Sequence, residues 1–480
     1  MVDSNTPLLE IPNYFNGKFE KEGERKILFD YQGKPYASIF NASSSSLRSA
    51  KRNLFYCRQR LHEIPLEKII AVLKRAMDYY YVDQRELEVI AHLTGSPLSF
   101  LKQSFDELKD WCRHIEEYLH LCFGYHTYEL VPIQHLGITY GYRQYVPRGP
   151  IVGILPKNSE AEAAYLLIQI ILSKNPALVK ASSSLGSSFS SICFIQALQK
   201  AIQDFNDDQL FVLLESLAIV NLFDDDKLSI IKKLEIDHGV YVIFGSNKTL
   251  ESVDQELQDT HVQRIIKLGT GLSASVVLDD ADLDFSAKEI CHAASLNKGN
   301  DCISTNVVYV SSLIYESFFS KLSDAAKSYK SLDPFHEESV IGIVEKNVVH
   351  DVVQRIHTMN KGHLLYHEDG KIHLSLLEME DHERVEEFPA PILMVRKVDD
   401  EKHLLERFLL DLQLNGMKKN LATSIFTQNR KKFESLAKYL PSHIVKLNKG
   451  TEKMNLMLQH QSLYLLQEFL DSKILEIPPV

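Results

Sequence analysis

Between Leu47 and Leu121 the apolar residues recur at intervals of three and four, as in Ile69, Leu73 and Met77 or Leu87, Ile90 and Leu93. That period predicts a run of amphipathic helices, which supply packing and little chemistry. The texture changes at Tyr145. From there PRGPIVGILPKNSEAEAAYLLIQIILSKNPALVKASSS holds an apolar strand, a turn, a buried helix and a second short strand, Ala177 to Lys180. Parallel strands buried on both faces are continuous apolar runs, so this is a β-α-β unit. Ser159 followed by Glu162 has the spacing of a capping box, which starts the helix just after Asn158. Its apolar run, Ala163 to Leu172, is interrupted by Gln169 and is far short of the roughly 18 residues of a membrane span. A further helix is predicted from Phe189 to Ile202, and Gly239 to Phe244 is another buried strand leading into Gly245, Ser246 and Asn247.

The second half repeats the alternation, with ASVVLDD, TNVVYVSS, PAPILMVRKV, ATSIFTQ and HIVKLN as strands between helical stretches. The fold class expected is therefore α/β, with two doubly wound parallel domains. The second starts near Val262, with no low-complexity linker before it, so close apposition around a ligand-binding cleft is expected. Length agrees, since 480 residues exceed what one hydrophobic core supports.

Composition and charge narrow the function. A net charge of -11 without a concentrated Lys/Arg surface argues against a nucleic-acid partner. The start, MVDSNTPLLEIPNYF, lacks the charged and apolar regions of a signal peptide, so the expected location is cytoplasmic. Six cysteines show no C-x-x-C spacing and no His at ligand intervals, so neither a metal site nor a disulfide framework is indicated.

One cysteine has a distinctive setting. Cys302 lies in SLNKGNDCISTN, where a helical apolar face (Ile290, Ala293, Ala294) ends in Asn and Gly and a strand follows. A thiol on such a turn is open to substrate and near backbone N–H groups, as a thiolate nucleophile requires. The competing reading is a small core residue, since free cysteine is among the most buried types.

Asn297 to Cys302, N-K-G-N-D-C, resembles the N-x-G-x-x-C nucleophile motif of aldehyde dehydrogenases, and it follows LDDADL, which is similar to the strand and acidic turn ahead of that motif. The likeness continues in order along the chain: LTGSPL, L-P-K-N, VKASS, Phe244 to Asn247, Glu386 to Pro391 and NLATSIFT resemble the family's E-T-G-K-P, P-W-N, strand-end lysine, G-S-T, E-x-F-G-P and G-L-A-A-x-V-F-T segments. The resemblance implies a Rossmann-type cofactor domain over 1–124 and 146–261 and a catalytic domain over 262–457. It also implies an oligomerisation element over 125–145 and 458–480, hence a homodimer or higher homo-oligomer. It makes Cys302 the nucleophile. The amide of Asn158 and the Cys302 N–H then form an oxyanion hole, a contribution of about 3 kcal/mol in comparable sites, although Asn158 also suits a helix cap. Lys180 reaches the cofactor ribose, and Gly245 and Ser246 admit the pyrophosphate at a helix N-terminus. Gly269 joins the cofactor-binding set, and Glu387 contacts the nicotinamide-side ribose, in a motif where Phe388 and Pro389 depart from the family's x-Phe.

Two departures bear on the reaction. In IKLGTG, similar to the family's E-L-G-G loop, Lys267 replaces the glutamate that activates water, and a protonated lysine cannot be that base. That substitution resembles the acyl-CoA reductase branch, in particular the long-chain fatty acyl-CoA reductases of bacterial bioluminescence. The expected reaction is NAD(P)H-dependent reduction of an acyl-CoA, fatty acyl in this branch, to an aldehyde through a Cys302 acyl-enzyme. The alternatives are an NAD(P)-dependent aldehyde dehydrogenase with another base, such as Glu387, and a catalytically silent binding protein of the same fold. Ser183 stands where NAD-preferring relatives carry a glutamate. Lys180, Ser182 and Ser183 would hold a 2'-phosphate, which favours NADP over NAD.

Overall fold

The first sheet follows from the apolar runs just described. A computed structural model describes residues 8–136, 138–157, 159–182, 186–223, 230–258, 260–359, 367–368, 371–452 and 465–476. Among them, strands Ile151–Ile154, Ala177–Lys180, Leu217–Val220, Val240–Phe244 and Arg264–Leu268 pair in parallel, and the antiparallel hairpin Asn13–Phe15 and Lys18–Glu20 extends the sheet beyond Leu217–Val220. Helices Ala161–Leu172 and Ser187–Phe205 connect the parallel strands, and five helices from Ser44–His62 to Ile115–Phe123 supply the predicted helical run. The sequence pattern did not reveal the short strands Leu9–Ile11, Arg25–Phe29 and Pro35–Phe40, which form a small sheet of their own. Arg264–Leu268, beyond the boundary expected at 262, is still hydrogen-bonded into the first sheet.

The second sheet is parallel throughout, in the order Ser375–Met379, Ile392–Val398, Thr305–Ser311, Ser273–Val277, Asn420–Phe426, Ser442–Leu447. Successive side chains of a strand point to opposite faces. Val307 and Tyr309 accordingly join one core cluster with Met394 and Leu377, while Val308 and Val310 join another with Leu393 and Val395. A strand covered on both faces needs apolar residues at every position, so TNVVYV and ILMV show no alternation.

The chain divides into two compact units, Met1–Thr94 with Gln103–Leu268 and Leu456–Val480, and Gly95–Lys102 with Gly269–Asn455. In the first unit Val131–His135, Ile138–Pro147 and Leu470–Glu476 form a three-stranded antiparallel sheet. No described helix is long and apolar enough to cross a membrane.

One local expectation is corrected. The helix starts at Ala161, not directly after Asn158, and its cap residue is Glu160, with αR backbone angles and no side-chain cap bond. Ser159 thus stands one residue ahead of the cap position. Glu160 is buried, its carbonyl accepts from Ser190 Oγ at 2.8 Å, and its side chain fills the space where a Cβ on Gly186 would stand. Packing against the neighbouring helix sets where the turn begins, and it outweighs one local hydrogen bond.

Candidate active site

In the second unit the helix Leu283–Ser295 ends in a short turn, Leu296–Gly299, that unwinds it. Asn297, Lys298 and Gly299 all take positive φ, at 47°, 65° and 67°. Such angles are costly for the two side-chain-bearing residues and need outside support. Asn297 is 1% exposed, and its Oδ1 accepts from Ser96 Oγ at 3.1 Å. Gly299 lies so close to Pro391 that a Cβ there would fall 2.5 Å from the proline Cα. The turn is thus locked by its surroundings, and it delivers Asp301 and Cys302 ahead of the strand Thr305–Ser311.

Of the six cysteines, all described and none in a disulfide, Cys57, Cys112, Cys122, Cys193 and Cys291 are buried, while Cys302 is only half-buried. Burial pushes the thiols of Cys57 and Cys112 up to about 11 and about 12. The Cys302 backbone is pinned: its carbonyl accepts from Ser273 Oγ at 3.1 Å, and a Cβ on Gly271 would stand 1.6 Å from that carbonyl oxygen. Only glycine permits this approach.

Two carboxyls belong to the same region. The Cys302 thiol donates toward Asp301 Oδ1 at 4.0 Å. Burial pushes the Asp301 carboxyl up to about 6, while the Cys302 N–H and the Asn297 side chain pull it down by hydrogen bonding to it. The N–H expected to line an oxyanion hole therefore faces Asp301. Glu387 is raised further, to about 7, by burial and by the charge on Asp301, against hydrogen bonds from the N–H groups of Leu272 and Gly271 and from Thr270. Its Oε2 is enclosed and, among the described residues, has no hydrogen-bond partner. The loop 270–272 thus holds the carboxyl of Glu387, the residue expected at the cofactor ribose. Asp301 was not singled out in the sequence, although an acid directly before a candidate nucleophile is a readable signal.

In the first unit Lys180 ends its strand, level with Ile154 and Val220 in the neighbouring strands, and is half-buried. The Ser182 N–H donates to Ser187 Oγ at 3.0 Å, at the start of the helix Ser187–Phe205. Gly245 follows the strand Val240–Phe244, and its N–H donates to the Leu268 carbonyl at 3.2 Å. Ser246 caps the 11-residue helix Asn247–Leu257, its Oγ accepting from the Thr249 N–H at 3.3 Å. A glycine at the carboxyl end of a parallel strand, followed by a helix N-terminus, suits the phosphates of a dinucleotide. Gly269 lies half-buried in the connection between Arg264–Leu268 and Ser273–Val277. Asn158 and Ser183 lie outside the described residues. Lys267 forms an ion pair with Asp254, both near the surface, with side chains 40% and 43% exposed.

The sequence profile of the aldehyde dehydrogenase family matches residues 21–460, and so covers this turn together with both parallel sheets. The chain belongs to that family. Its members are NAD(P)-dependent oxidoreductases acting on aldehyde groups. The chain is 29% identical over 150 residues to a vanillin dehydrogenase of Corynebacterium glutamicum, covering 29% of this chain and 31% of that protein. It is 26% identical over 225 residues to aldehyde dehydrogenase [NAD(P)+] 1 of Saccharomyces cerevisiae, covering 45% of this chain and 41% of that protein. The matched segments thus span under half the length of these curated relatives. The solved salicylaldehyde dehydrogenase of Pseudomonas putida G7 superposes with a TM-score of 0.82 at 17% identity, covering 98% of both chains. The fold is therefore that of an aldehyde dehydrogenase.

Proposed function

We propose that this aldehyde dehydrogenase family member oxidises an aldehyde with NAD(P) through a covalent intermediate on Cys302. The supporting observation is the turn that carries Cys302: of six thiols it alone retains open surface, on a backbone pinned by Ser273 and Gly271. In this reading the Cys302 thiolate attacks the carbonyl carbon, and the carbonyl electron pair moves onto oxygen. A bound nicotinamide supplies the hydride acceptor. Lys180, Ser182, Gly245 and Ser246 are the residues that would hold the cofactor, with Gly269 and Glu387 as further family positions. The cation at Lys180, with the hydroxyl of Ser182 and the serine rather than glutamate at position 183, favours NADP. The names of the relatives, which include vanillin and salicylaldehyde dehydrogenases, favour oxidation of an aldehyde over reduction of an acyl-CoA.

Aldehyde-dependent reduction of NAD and NADP, measured with aliphatic and aromatic aldehydes, tests the reading. Cys302→Ala is expected to lower the rate roughly a thousandfold or more; equal rates would refute Cys302 as the nucleophile.

The second reading, reduction of an acyl-CoA to an aldehyde, draws on Lys267. Its side chain is matched to Asp254 and offers no base for water at that position. Cys302-dependent NADPH oxidation by acyl-CoA thioesters would favour this reading. The antiparallel sheet of the first unit exposes Ile474 at 65%, and the turn joining its first two strands exposes Leu136 at 88%, which supports a homo-oligomer formed through that sheet.

A further inference from the structure

We infer that Asp301 is the general base that activates water to release the acyl group from Cys302. This rests on Cys302 being the acylated residue and adds the group that ends the cycle. Three observations carry it. Asp301 Oδ1 lies 4.0 Å from Cys302 Sγ, so a water held by this carboxylate is beside any acyl carbon bonded to that sulfur. The carboxylate is held in place: the Asp301 N–H donates to Ser304 Oγ at 3.3 Å, the Ser304 N–H donates to the Asp301 carbonyl at 2.9 Å, and the Asn297 side chain bonds the carboxylate while itself locked by Ser96. The local electrostatics suit a base at neutral pH. Burial lifts Asp301 to about 6, high enough to take a proton and low enough to be ionised at pH 7. Among the described residues the charged group coupled to it is Glu387, whose own carboxyl feels the Asp301 charge, while the side chain of Lys298, three positions earlier, is buried.

In the step itself a water O–H bond breaks and its proton passes to Asp301 while the water oxygen bonds to the acyl carbon. The C–S bond then breaks, its electron pair stays on Sγ, and the proton moves from Asp301 to sulfur. Thiol, carboxylate and a free carboxylic acid result, with no oxidant or reductant consumed.

The charge on Asp301 has an opposite effect on the earlier step. A carboxylate beside a thiol disfavours the thiolate, so removing it does not slow acylation. This contrast separates a base from a merely structural residue. The test is stopped-flow hydrolysis of p-nitrophenyl acetate by the full chain without cofactor, where a nitrophenolate burst reports acylation and the steady rate reports deacylation. Asp301→Asn is expected to keep the burst at an equal or greater rate, to lower the steady rate about a hundredfold and to accumulate acetylated Cys302 by mass spectrometry. Asp301→Glu is expected to restore part of the steady rate. The wild-type steady rate is expected to rise with pH through an ionisation near 6, and this profile decides the matter even if a variant fails to fold. An unchanged steady rate in Asp301→Asn, a loss of the steady rate in Glu387→Gln in its place, or a wild-type limb near the ordinary thiol value would overturn the inference while leaving Cys302 as nucleophile. A wild-type burst that survives in Cys302→Ala would overturn both.

Discussion

Lys267 and its partner Asp254 form an ion pair at the surface, whereas Asp301 and Glu387 are half-buried residues whose carboxyls have lost much of their hydration and, among the described residues, have no cationic partner. Water screens the first pair, so its charges interact weakly and contribute little. The enclosed carboxyls lose hydration, and backbone N–H groups compensate only in part. Asp301 and Glu387 therefore titrate near neutrality, at about 6 and about 7. Charged residues of similar kind thus divide by environment: one pair is a surface contact, the other two carboxyls whose protonation changes near neutrality. The position that a family likeness marks for a base is the solvated one.

The comparison can be broken most severely at Gly271. The Cys302 carbonyl occupies the place where a Gly271 side chain would stand, and the Gly271 N–H bonds Glu387. Gly271→Ala places a methyl group 1.6 Å from a backbone oxygen that has no flexible end to move aside. We expect a loss of about 3 kcal/mol in denaturant-measured stability, together with loss of Cys302-dependent turnover. Native stability and activity would show that the loop accommodates a side chain.

Glu387→Gln sharpens the contrast through pH. A carboxyl whose folded value lies above its unfolded value keeps its proton longer in the native state. Its contribution is most favourable below the unfolded value of 4.5 and is lost as pH rises toward about 7. Glutamine cannot ionise yet still offers an oxygen to the Gly271 and Leu272 N–H groups. The variant is expected to gain on the order of 2 kcal/mol over wild type between pH 4.5 and pH 8, allowing for partial exposure. Parallel denaturation curves across that range would show that burial does not perturb Glu387.

The smallest effect belongs to Lys267. Replacing it with alanine removes a salt-screened pair, and the expected change in stability is less than about 1 kcal/mol, smaller still at high salt. A loss of several kcal/mol, measured by the same denaturant titration, would remove the distinction between the two regions.

Much of the scaffold was legible because parallel strands buried on both faces must be apolar at consecutive positions. GVYVIF, TNVVYV and ILMV announce themselves, and each is a strand in the structure. The three-residue strands near the N-terminus carry too few positions to show a period, and Ser159 illustrates a local signal overruled by packing around Glu160. At the site, Cys302 could be chosen from its turn. The approach of Gly271 and the clasp on Glu387 join segments far apart in the chain, which no local pattern records.

The sequence by itself determined the alternation of helices and strands and the family, and it singled out Cys302 as the candidate nucleophile, because these depend on residue type and short-range order. The tertiary structure alone decided that Asp301 and Glu387 are acids near neutrality and that Lys267 is a solvated partner of Asp254. The reason is physical: a carboxyl's protonation depends on the water and N–H groups left around it, and those are set by distant parts of the folded chain.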